Sequence, residues 1–128
     1  MDEPTRRGRS RAGLGKWGER TARDFLEKRG YRIRETNYRC EQGEIDIVAE
    51  DGDCLVLVEV RSRRSTAFGS AKESLTQAKK ERLVALAGAY AQAHADVPAQ
   101  WRIDVVAIDI GPRGVNLELI PNAVADET

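Results

Sequence analysis

The stretch Gly43–Arg61, GEIDIVAEDGDCLVLVEVR, limits the fold more than any other part of the 128-residue chain. Asp51-Gly52 is a strong two-residue hairpin signal, and it divides two runs rich in Ile, Val and Leu. With Asp51 and Gly52 as the loop, Glu50 faces Asp53, Asp46 faces Leu57 and Glu44 faces Glu59. Side chains alternate along a strand, and opposed residues share a face. One face then carries Glu44, Asp46 and Val48 with Leu55, Leu57, Glu59 and Arg61. The other carries Ile45, Ile47 and Ala49 with Val56, Val58 and Val60. Both faces are largely apolar and both need cover, as in the middle of an α/β sheet. The end away from the turn collects three carboxylates and a guanidinium.

The flanking sequence supplies the cover. Residues 14–29 space Leu14, Trp17, Ala22, Phe25 and Leu26 at helical intervals, and Gly30 marks a C-terminal stop. A strand from Tyr31 to about Tyr38 follows. Ser70-Ala71-Lys72-Glu73 matches a capping box and opens a second helix, with Leu75, Lys79, Leu83, Leu86 and Tyr90 along one stripe. A strand from Trp101 to about Ile110, parallel to an earlier one, and a shorter one from Val115 to Ile120 complete the order. The expectation is a single α/β domain over residues 14–120, with a disordered basic tail at 1–13 and a C-terminal tail at 121–128.

Composition narrows the function classes. Hydrophobic residues are 41% and charged residues 33%, ordinary for a globular protein. No apolar run approaches the ~20 residues that span a bilayer, and no apolar h-region follows the basic start. Cys40 and Cys54 lack CxxC partners, which points to reduced thiols and a cytoplasmic protein. The net charge of +0 hides a division: residues 1–39 hold 12 Lys and Arg against 6 Asp and Glu, and the rest is correspondingly acidic. Neither GxxxxGK[ST] nor GxGxxG is present, so the common nucleotide-binding loops are excluded. His94, the single histidine, falls near a helix end, where capping or solvation is the expected role.

Converging carboxylates repel one another unless something compensates them. A divalent cation does so, and Mg²⁺ typically takes one or two carboxylates and leaves other positions to water and substrate phosphate. Asp46 and Glu59 lie one diagonal step apart in the register above, within reach of one ion. Arg61 shares their face and suits a phosphate oxygen. Lys79 sits within the apolar stripe of the second helix. Glu19 borders the buried side of the first, and could join the acidic group if that helix packs on the Asp46 face. Arg63 and Arg64 extend a basic run that could hold phosphates. The plain alternative is surface ion pairing at a strand end, with Lys79 a snorkelling stem.

Several short motifs occur in order: Gly15-x-x-Gly18-Glu19 with Ala22 and Leu26, Gly30-Tyr31, Asn37, Gly43-Glu44-Ile45-Asp46, Val58-Glu59-Val60-Arg61, Phe68-Gly69, Thr76-x-x-Lys79 and Arg102-Ile103-Asp104-Val105-Val106. Together, over about residues 14–120, they resemble the YraN family of small bacterial proteins, which in turn resembles the restriction-endonuclease-like nucleases, archaeal Holliday-junction resolvases in particular. The resemblance implies a helix, three-strand, helix, strand core around a mixed sheet. It implies Glu19, Asp46 and Glu59 as site carboxylates, and with Arg61 and Lys79 to stabilise charge these five are the expected catalytic residues. Asp46, Glu59 and the carbonyl of Val60 would be ligands for Mg²⁺ or Mn²⁺. Arg61, Arg63, Arg64 and Lys79 would be nucleic-acid contacts. The expected activity is phosphodiester hydrolysis on DNA, branched or junction DNA included, with oligomeric state open and a homodimer compatible. The wider superfamily prefers Lys where this chain has Arg61, and arginine cannot give up its proton to act as a base. A non-catalytic nucleic-acid binder on the same fold and a protein-interaction module are the competing expectations.

Overall fold

The computed structural model describes residues 14–64, 75–98 and 100–123. In chain order its elements are α1 (Leu14–Lys28), β1 (Arg32–Cys40), β2 (Gly43–Asp51), β3 (Cys54–Arg64), α2 (Gln77–Ala93), β4 (Gln100–Gly111) and β5 (Gly114–Ile120). The strands form one mixed sheet in sequence order. Among the described strands only β3 and β4, joined through α2, pair parallel; the other neighbours are antiparallel. This is the helix, three-strand, helix, strand core expected, with β5 added at the edge.

Two buried clusters show why β2 and β3 are apolar on both faces. Ala22 and Leu26 of α1 pack with Ile47, Ala49, Val56, Val58, Val106 and Ile108. On the other face Leu83, Leu86, Ala87 and Tyr90 of α2 pack with Val48, Leu55, Leu57 and Ile103. Full burial of an aliphatic side chain contributes about 1.5–3 kcal/mol, so these layers carry most of the stability. α1 stops where Gly30 takes a φ of 92°. The Tyr31 N–H donates to the Leu26 carbonyl and the Gly30 N–H to that of Glu27, a Schellman closure.

Three expectations need adjustment. The hairpin closes on the Asp51–Cys54 pair, so its loop is Gly52-Asp53 and the register lies two residues from the expected one. Gly52, with φ of 59°, occupies the first central position, the place a type II′ turn reserves for glycine. A shift of two preserves which residues share a face. Ile45 does break the alternation, joining the α2-side cluster. The Ser70–Glu73 capping box, with Phe68-Gly69, lies outside the described residues. The described α2 begins at Gln77, capped by Thr76, whose side chain accepts from the Lys79 N–H at 3.2 Å.

A polar network crosses the α1 side. Asp104 is fully buried. It accepts from the Tyr31 hydroxyl at 2.8 Å, from Arg102 at 3.0 Å and from the Asn122 N–H at 2.9 Å. Arg102 also reaches Asp51 at 2.8 Å. Burial, then the hydrogen bond to Asp104, push the Tyr31 hydroxyl up to about 12, with Arg102 opposing. The Ala123 N–H bonds the Ile103 carbonyl, so the turn after β5 is fastened to β4. Among the described residues no helix is long and apolar enough to cross a membrane.

Candidate active site

The carboxylates converge where the β2–β3 ladder ends. Its last backbone pair on this side is Ile47–Val58. The next β3 donor, the Val60 N–H, is taken instead by Asp46 Oδ2 at 2.8 Å. Across β2, Asn37 of β1 lies between the pairs Thr36–Ile47 and Tyr38–Ile45 and takes a left-handed φ of 55°, which Asn tolerates better than most residues. The sheet is thus irregular on both sides of Asp46.

A cleft of about 360 Å³ opens there, lined by Gly43, Glu44, Asp46, Glu59, Val60 and Arg61 from the strands and by Lys79, Arg82, Leu83 and Leu86 from α2. Arg61 bonds Glu59 at 3.2 Å. Asn37 Nδ2 donates to Glu19 at 2.9 Å and to Glu44 at 3.3 Å, so one amide holds two carboxylates at the margin of the cleft. Gly18 makes the approach of α1 possible: a Cβ there would lie 2.4 Å from Ser62 Oγ on β3.

Electrostatics single out Asp46. Its carboxyl is pushed up to about 7, first by burial and then by repulsion from Glu59. The Val60 N–H pulls it down, while Glu19 and Glu44 push it further up. At neutral pH the group is therefore poised between its protonated and charged forms.

Four of the five residues expected to be catalytic, Asp46, Glu59, Arg61 and Lys79, line this one cleft, as does Val60. Glu19 reaches it by another route than expected. α1 packs on the face opposite Leu57 and Leu83, and Glu19 meets the acidic group through Asn37 at the sheet's irregularity. Arg63 and Arg64 continue β3 and do not line the cleft. Arg82 was not singled out, although its position three residues after Lys79 puts the two on one helix face. The linking role of Asn37 was also missed; its sequence signal was only an Asn within an alternating strand. His94 caps α2, bonding the Tyr90 carbonyl at 2.9 Å and stacking on the Tyr90 ring. Both cysteines are free thiols.

Comparison with known proteins places the chain. The model of the uncharacterised protein family UPF0102 matches residues 18–108. A UPF0102 protein of Roseiflexus castenholzii is 54% identical over 121 residues, covering 91% of this chain and 96% of its own length. One from Renibacterium salmoninarum is 50% identical, covering 83% and 89%. One from Chloroflexus aurantiacus is 45% identical, covering 99% and 100%. The matched span begins at Gly18 and carries the whole cleft, so the chain belongs to UPF0102, the YraN family.

Proposed function

We propose that the cleft is a divalent-metal site and that the protein hydrolyses phosphodiesters in DNA. The observation that carries this reading is Asp46, raised to about 7 by burial and then by neighbouring carboxylates, in a cleft whose rim is cationic. The donor set fits the ion. Among the described residues no three Asp, Glu, His or Cys side chains form a cage of their own. Two carboxylates with a nearby backbone carbonyl suit Mg²⁺ or Mn²⁺, which keep waters and take substrate oxygens. Asp46 and Glu59, with the Val60 carbonyl, would hold it. Bound there, such an ion lowers the pKa of a coordinated water and offsets phosphate charge.

The remaining roles belong to side chains. Asp46 is oriented by the Val60 N–H, which leaves its second oxygen for the ion. Arg61 is held by Glu59 and, with Lys79, offers fixed positive charge to the phosphorane oxygens. Arg61 keeps its proton and so orients and stabilises without acting as a base. Glu19 and Glu44, fixed by Asn37, tune the charge at the centre. The reading extends to a reduced, cytoplasmic setting for the two free thiols.

Arg61 also favours a second reading, a DNA binder without chemistry, because it replaces the lysine the superfamily prefers. One experiment separates the two. The protein is incubated with branched, nicked, linear and single-stranded DNA in Mg²⁺ or Mn²⁺. Cleavage is expected and should be abolished by Asp46→Asn. Arg61→Ala should slow it ~10²-fold or more, as when one preorganised donor is removed, and Arg61→Lys should keep or raise it. Cleavage by Arg61→Lys alone identifies a binder. No cleavage by either protein, with Mn²⁺ affinity unchanged by Asp46→Asn, overturns the metal site.

A further inference from the structure

Beside the carboxylate cleft, where α1 meets β1, Lys16, Arg20 and Arg23 line a second hollow of about 230 Å³ together with Glu19, Thr36 and Asn37. The three cations are exposed. Their spacing of four and three residues puts them in one stripe, rising about 10 Å along the helix. None of the three forms a salt bridge among the described residues. Surface cations are usually solvated singly, but here three are aligned and one carboxylate in their midst, Glu19, is already occupied by Asn37.

The same Asn37 amide links the two hollows, because its second acceptor is Glu44, which lines the carboxylate cleft. Lys79 and Arg82 form the other positive wall of that cleft, on α2. α1 and α2 cover opposite faces of the sheet. At about 10 Å per packed layer, their axes are held on the order of 20 Å apart. The acidic centre therefore lies between cations carried by α1 and cations carried by α2. A single strand following either wall would leave the other uncompensated, whereas two strands satisfy both.

We infer that the Lys16–Arg20–Arg23 stripe is a phosphate-binding ridge for duplex DNA, taking the strand opposite the one at Asp46. One strand presents a phosphate every ~3.4 Å of duplex axis, so the stripe spans about three. The inference rests on the reading of the acidic centre as the place where a phosphodiester sits.

Duplex affinity is measured against salt, without divalent metal, for the full chain, for Arg20→Ala/Arg23→Ala, and for Lys28→Ala/Arg113→Ala. The last pair removes equal charge from exposed sites elsewhere. Each lost phosphate contact should reduce the slope of log affinity against log salt by ~0.9. The stripe variant should therefore lose about 1.8 and the control none, with affinity for a single strand of the same length unchanged. Equal slopes in the two variants, an equal loss for single strands, or no duplex binding at low salt overturns the ridge. Cleavage with Mn²⁺ is recorded in parallel. A protein that shows the slope change but cuts nothing keeps the ridge and loses the nuclease; one that cuts with an unchanged slope loses the ridge alone.

Discussion

Asp46 is the residue on which the site turns, and its ionisation costs the fold. The carboxyl is raised to about 7, against an ordinary value of 3.8, so the folded protein retains a proton that the unfolded chain releases. Stability of the metal-free protein should then fall as pH rises from about 4 to about 7, and level off above that. At 1.36 kcal/mol per pKa unit, Asp46→Asn should stabilise the metal-free protein at pH 8 by on the order of 2–4 kcal/mol and flatten the slope. Asn retains an acceptor for the Val60 N–H, so the gain reports charge and not a lost hydrogen bond. Urea denaturation of both proteins at pH 5 and pH 8 checks this; a stability difference independent of pH would contradict it. Mn²⁺ affinity should rise through the same window, because the ion competes with the proton.

At the scale of elements, the seating of α1 on β3 decides whether Glu19 reaches the acidic group. The contact at Gly18 is tight only toward Ser62 Oγ; Ser62 Cβ would lie 3.6 Å from an added Cβ, an ordinary distance. Alanine is favoured over glycine in a helix by about 1 kcal/mol. In the wild type, Gly18→Ala should forfeit that gain, because Ser62 must leave its rotamer or α1 must shift. In a Ser62→Ala background it should be realised in full. A double-mutant cycle by chemical denaturation should show a coupling of about 1 kcal/mol between the two positions; additivity would mean that α1 is not seated on Ser62. Much at this scale could be read in the sequence. Apolar runs on both faces of residues 43–61 required a covered sheet, and face assignment depends only on parity, so for all but Ile45 it survived a register wrong by two. The register itself was not legible, because Asp51-Gly52-Asp53 admits two loops and only turn geometry chooses between them. The route of Glu19 was hidden for a similar reason: a left-handed Asn37 leaves no mark on a hydrophobic pattern. Arg63 and Arg64 follow Arg61 along β3, and the lining of the cleft on that strand stops at Arg61.

For the whole molecule, the sheet keeps two demands apart. The carboxylate cleft lies against α2, and the Tyr31–Arg102–Asp104 network lies on the α1 side. The first gathers carboxylates around Asp46; the second neutralises a buried carboxylate with an arginine and two further donors. Breaking a buried pair by removing one partner typically costs about 3–5 kcal/mol. Arg102→Met should fall near the lower end, since Tyr31 and Asn122 still donate to Asp104. Mn²⁺ affinity of the folded variant should stay within about twofold of wild type. Urea denaturation and isothermal titration calorimetry read the two quantities. A large loss of metal affinity at preserved fold would show that the network shapes the cleft through the sheet.

The premature end of the β2–β3 ladder leaves one backbone amide answering to a side chain. Val60 N–H is bound to the carboxylate that would hold the ion, so its proton lies within one hydrogen bond of the proposed metal site while remaining part of the main chain. Its nuclear magnetic resonance is thus a built-in gauge. Protonation of Asp46 or arrival of a cation redistributes charge on the acceptor and moves that single resonance first. The occupancy of the centre can then be followed in the intact protein without substrate, label or turnover.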